Sequence, residues 1–106
     1  MNKDLNINWV PPEIRNGINF DKIKYIENLS ELGLQRVRIH FQNKYSLSIV
    51  QGEMTYGGNK GLFEVAPFDK NNTMNGAILN IPGDNVIGNL SVQQVQKIIL
   101  KIGELR

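Results

Sequence analysis

The sequence predicts an α+β fold: a small, mainly antiparallel sheet of three to four strands, with a C-terminal helix packed on it and a shorter N-terminal helix beside it. Three observations carry this reading. Residues 36–41 and 45–51 alternate polar and apolar side chains, the pattern of half-buried strands. Val92, Val95, Ile98, Ile99, Ile102 and Leu105 recur at helical spacing behind Ser91 and Gln94, which form a capping box in sequence. The 106-residue length suits one domain with one modest core, so a single domain over 1–106 is expected, with 1–19 as an extended arm and 20–106 as the α+β core.

In the arm, Trp9-Val10-Pro11-Pro12 confines the backbone to extended or polyproline geometry. Trp9 is expected to anchor the arm on the core in preference to meeting a partner, because large aromatic side chains bury area wherever they can. Over 21–32, Ile23, Ile26, Leu29 and Leu32 recur at three-residue steps, which predicts a short helix stopped by Gly33.

The next two strands fix their own register. Val37, Ile39 and Phe41 alternate with Arg36, Arg38 and His40; Tyr45, Leu47 and Ile49 alternate with Ser46, Ser48 and Val50. A two-residue turn would set Phe41 opposite Ser46 and mix the two faces. A three-residue loop, Gln42-Asn43-Lys44, sets Phe41 opposite Tyr45, Ile39 opposite Leu47 and Val37 opposite Ile49, which gathers the apolar residues on one side. Asn43 or Lys44 then takes the left-handed conformation, for which asparagine is better suited.

Residues 52–61 form a glycine-rich connection, and 62–67 a third strand with Phe63 and Val65 inward and Pro67 ending it or placing it at an edge. Residues 69–76 read as a polar loop. A fourth strand is expected over 77–81, ended by Pro82-Gly83. In the last helix Ser91 is the N-cap, Leu90 can staple onto Val95, and Lys97 and Lys101 lie on the solvent side near the C-terminal end.

Composition narrows the chemistry. Cysteine is absent, which excludes disulfide staples, thiolate zinc sites and cysteine nucleophiles. No apolar run approaches the ~20 residues that span a bilayer. Residues 1–9 carry Asp4 and several asparagines where an export signal needs a basic end and an apolar stretch, so a cytoplasmic location is expected. A net charge of +2 that is not gathered into a run permits a nucleic-acid partner without requiring one.

Each candidate site has a plainer account beside it. The 52–61 loop, with Lys60, invites a phosphate-cradle reading, but its spacing is not that of a P-loop and a strand, not a helix, follows it. Met54 and Tyr56 in that loop, together with Lys60, make a better contact surface for a protein partner. His40 is the single histidine, so it has no histidine partner for a metal, and a surface role is expected. Arg36, Arg38 and His40, flanked by Ser46 and Ser48, could hold phosphates. They equally suit a solvated sheet face, with Glu64 pairing with Arg38, and no aromatic residue is assigned to that face for base stacking. Residues 69–73 have a faint calcium-loop character but lack the alternating acids and closing glutamate. No metal, cofactor or catalytic residue is expected.

Residues 45–52 (YSLSIVQG), 55–58 (TYGG) and 61–66 (GLFEVA) give the chain a resemblance to small uncharacterised proteins encoded by bacteriophages and prophages, which share a Y-x-L-S-V-x-x-G strand, a Y-G-G loop and a G-L-[YFW]-E-[VI]-A strand. Val86-Ile87-Gly88-Asn89-Leu90 matches a further V-I-G-x-L stretch, and the resemblance covers 37–105. It implies a non-enzymatic phage accessory protein in the cytoplasm of a bacterial host. Such proteins bind, and often inhibit, a host protein, for example an anti-phage defence component such as a CRISPR effector. The alternative is a small nucleic-acid- or nucleotide-binding protein using the basic strand face. Edge strands in so small a sheet also make a homodimer an expectation to test.

Overall fold

The computed structural model describes residues 20–31, 34–52 and 62–106. Within them, five antiparallel strands lie side by side in chain order: β1 (Ile23–Asn28), β2 (Leu34–Phe41), β3 (Ser46–Gly52), β4 (Phe63–Phe68) and β5 (Ile87–Leu90). One helix, α1 (Val92–Gly103), packs its Val95, Ile99 and Ile102 against the inward residues of the sheet. Among the described residues no helix is long and apolar enough to cross a membrane.

The β2–β3 hairpin has the register that the alternation requires. Val37 faces Ile49, Ile39 faces Leu47 and His40 faces Ser46; the Phe41 N–H donates to the Tyr45 carbonyl at 2.9 Å. The loop is Gln42-Asn43-Lys44, and Lys44, not Asn43, is left-handed (φ 76°). Asn43 is committed elsewhere. Its Oδ1 accepts from the Tyr45 N–H at 3.0 Å, and its Nδ2 donates to the carbonyls of Ile102 and Leu105 at 2.8 and 2.9 Å. The hairpin tip thereby gives a donor to the Leu105 carbonyl and a further one to the Ile102 carbonyl, which also accepts from the Leu105 N–H at 3.1 Å.

Three expectations are corrected. The first helix over 21–32 is replaced by a 3-10 turn at Phe20–Lys22 that leads straight into β1. The reason is a bulge: Ile23 pairs with Phe41, but Tyr25 pairs with His40, leaving Lys24 as the extra residue. The bulge resets the alternation, so Ile23 and Ile26 both reach the core although they stand three apart. That spacing imitates one turn of helix. Leu32 and Gly33 lie outside the described residues.

The fourth strand expected at 77–81 is instead a 3-10 turn, Gly76–Leu79, capped by Asn75 and closed by Asn80 in the left-handed region. Gly76 is needed there, since a Cβ would stand 2.1 Å from the Asp84 carbonyl oxygen. The sheet also has five strands where three to four were expected, because 23–28 forms β1 and 87–90 forms β5. A second bulge hides it: the β4 interval from Phe63 to Val65 faces the β5 interval from Leu90 back to Ile87, with Asn89 left-handed at φ 57°. Ile87 is 37% exposed and Leu90 4% exposed, so no regular alternation is visible in this strand.

The inward residues of β4 and the last helix follow the sequence reading, whereas Pro67 neither ends β4, which runs to Phe68, nor places it at an edge, since β4 lies between β3 and β5. Phe63 and Val65 point inward. Pro67 is the penultimate residue of β4 and lies beyond the stretch paired with β5, where its missing N–H disturbs no ladder on that side. In α1 the Gln94 N–H donates to Ser91 Oγ at 3.3 Å and the Ser91 N–H donates to Gln94 Oε1 at 2.8 Å, completing the capping box. Leu90 and Val95 are both buried in the core cluster. The arm, Trp9 and most of the glycine-rich loop lie outside the described residues.

Candidate functional site

With the apolar residues turned toward α1, the other side of each strand faces away from the helix. The pairing lays these outward residues in cross-strand rows. Tyr25, His40, Ser46 and Phe68 form one row; Glu27, Arg38, Ser48 and Ala66 form the next; Arg36, Val50 and Glu64 form a third. Neighbours within and between rows are close enough to interact.

Two linked clusters result. His40 Nε2 lies 2.5 Å from Glu27 Oε1, and the His40 ring stacks on Tyr25 with centroids 4.1 Å apart and planes 11° from parallel. Beside it, the Arg38 guanidinium sits 3.7 Å above the centroid of the Phe68 ring. Its Nε N–H donates to Ser46 Oγ at 2.9 Å, and its Nη2 donates to Asn72 Oδ1. Arg38 therefore roofs over Ser46, which is only 3% exposed.

Asn72 is delivered by the loop after β4. Asp69 Oδ1 accepts from the N–H groups of Asn71 and Thr73 at 2.9 and 3.1 Å, while the Asn72 N–H donates to the Asp69 carbonyl at 3.0 Å. This tight turn places Asn72 in the left-handed region at φ 62°. The Thr73 N–H holds the Asp69 carboxyl below its ordinary value; burial works against it, and the Asn71 N–H and the Asn75 amide add to it. A carboxylate engaged by its own loop in this way is a turn device, not a calcium ligand. Among the described residues no group of three or more His, Cys, Asp or Glu could hold a metal ion.

Around these clusters the surface sinks into a groove of about 550 Å³. Its lining includes Tyr25, His40 and Ser46, the cations Lys24, Arg38, Lys44 and Lys70, and one carboxylate, Glu27. Tyr45 packs partly against the core yet also lines the groove, with Lys70 Nζ 5.6 Å from its ring centroid. Cations thus dominate a concave surface that also carries aromatic rings.

Of the residues expected to form a contact surface, Arg38 and His40 come together here. Arg36 stands in the next row but one from His40, and its Nε is buried without a hydrogen-bond partner. Met54, Tyr56 and Lys60 lie outside the described residues. Glu64 shares a row with Arg36 across Val50, so the register sets it one row away from Arg38. The expectation that this face lacks aromatic residues is overturned by Tyr25 and Phe68. Tyr25 and Glu27 escaped notice because β1 read as a helix, and Asn72 because nothing local links it to Arg38.

A Glu27–His40 pair beside Ser46 invites comparison with a nucleophilic triad. Ser46 is only 3% exposed, however, and its oxygen accepts from the Arg38 Nε N–H, not from His40. No family model, curated protein or solved structure matches the chain.

Proposed function

We propose that this chain is a non-enzymatic binding module that engages a protein partner through the outer face of its sheet. The observation that carries the reading is the groove around Arg38 and His40 on the face opposite α1, where side chains are held by one another and the surface is concave. Ordered side chains lose little further freedom on binding, which favours recognition. Taken with the sequence resemblance, the reading is of a phage accessory protein that acts in the bacterial cytoplasm by occupying a host protein. An anti-phage defence component such as a CRISPR effector fits that role. Inhibition of this kind needs a stable scaffold and a contact patch but no catalytic group.

The test is capture from a bacterial lysate on the immobilised full chain. A specific protein should be retained and should be lost, roughly tenfold or more, on Arg38→Glu, with the thermal unfolding transition still cooperative. Retention of nothing above a blank column counts against the reading.

One observation favours a second reading, nucleic-acid or nucleotide binding: Lys24, Arg38, Lys44 and Lys70 line one groove with aromatic rings among them. Its signature is oligonucleotide binding that falls steeply with added salt. Two features weigh against it. The Tyr25 and Phe68 rings are already engaged by His40 and Arg38, and Glu27 sits among the cations.

A further inference from the structure

Arg38 is the most constrained cation of the groove. It is held below by the face of Phe68, at its Nε by Ser46 and at one Nη2 N–H by Asn72. Of the guanidinium's N–H groups, both on Nη1 and one on Nη2 have no such partner among the described residues, and they form the end of the fork that faces a ligand. A guanidinium whose plane is fixed in advance matches a carboxylate in two parallel hydrogen bonds, which a lysine ammonium cannot do. Lys24, Lys44 and Lys70 stand around the same groove, with Glu27 as the opposing carboxylate already taken by His40.

We infer that the groove receives an acidic segment of a protein partner, with one aspartate or glutamate carboxylate seated on Arg38 and further acids facing Lys24, Lys44 and Lys70. Charge complementarity carries the assignment: four cations on a concave surface of a chain whose total net charge is only +2 mark a local positive field, not a general one. This rests on the protein-docking reading and specifies the chemistry of the partner. A phosphate-bearing strand would meet the same field, but it also needs ring faces for its bases, and Tyr25 beside Arg38 is already stacked on His40.

The experiment uses the full chain and a labelled glutamate-rich peptide, with a glutamine-rich peptide of equal length and a single-stranded oligonucleotide as comparison probes. The glutamate peptide should bind, the glutamine peptide should not, and added salt should weaken the complex. Arg38→Lys, which keeps the charge and loses the fork, should weaken binding roughly tenfold, as expected for loss of a charge-assisted pair. Lys24→Gln and Lys70→Gln should each weaken it by less. Equal binding by Arg38→Lys overturns the seat on Arg38, and preference for the oligonucleotide overturns the acidic segment in favour of nucleic acid. Because the unfolding midpoint of each variant is measured alongside, lost binding in a folded Arg38→Lys chain is distinguished from a fold defect. Should lysate capture depend on Arg38 while the glutamate peptide fails to bind, protein docking stands and the acidic chemistry falls.

Discussion

Phe63 and Phe68 are the same residue type at the two ends of one strand, yet they live in different environments. Phe63 faces α1, is 1% exposed and packs among Val65, Val95 and Ile99 in the core cluster. Phe68 faces the other way and supports a guanidinium. The odd and even positions of β4 thus divide the work: one side of the sheet holds the domain together and the other holds a set of polar groups in place. Strand alternation makes the two sides separable in principle, because a side chain added to one face barely touches the other.

Substitutions on the two faces should therefore fail differently. The largest effect is expected from Phe63→Ala, which removes a fully buried ring and should lower unfolding free energy by about 3–5 kcal/mol in a urea titration. Phe68→Ala should lower it by about 1–2 kcal/mol, the sum of a partly buried ring and its cation–π contact. Its more telling effect should be on binding, since the platform under Arg38 is lost while the fold survives. Equal destabilisation by the two variants would erase the distinction between the faces.

The smallest effect concerns the loop behind Asn72. Hydrogen bonds to the ionised Asp69 lower its folded-state pKa below the ordinary 3.8. The stability it contributes is therefore present above that value and lost as pH falls through the lower folded value. The parent chain should exceed Asp69→Asn slightly in stability near neutral pH, and the gap should close in acid. A gap that instead widened in acid would count against the turn described for this loop.

How much of this was legible in the sequence depended on whether an element obeyed a single period. The β2–β3 hairpin did, and its alternating residues decided both the loop length and the facing pairs. In α1 the helical spacing and the Ser91–Gln94 cap agreed with each other. Neither β1 nor β5 obeyed one period: Lys24 inserted one residue and gave Ile23 and Ile26 a helical step, and Asn89 in the left-handed region broke the alternation in β5. The site inherited the same division. Arg38 and His40 could be placed on one face from β2 alone. Tyr25 and Glu27 could not, once their strand looked like a helix, and the Arg38–Asn72 contact spans 34 residues with no local pattern to announce it.

Asn43 ties this architecture together in time as well as in space. Its amide joins the β2–β3 hairpin to the carbonyls of Ile102 and Leu105, so the tip of a locally encoded unit is not fastened until residues some sixty positions later arrive. On a ribosome the β2–β3 hairpin can form early from its own contacts, whereas the helix that shields its apolar side and the clasp at its tip both come late. During that interval a chain with a half-built sheet has its greasy side uncovered. The nascent protein is therefore at its most vulnerable to chaperone capture or self-association just before the helix is complete.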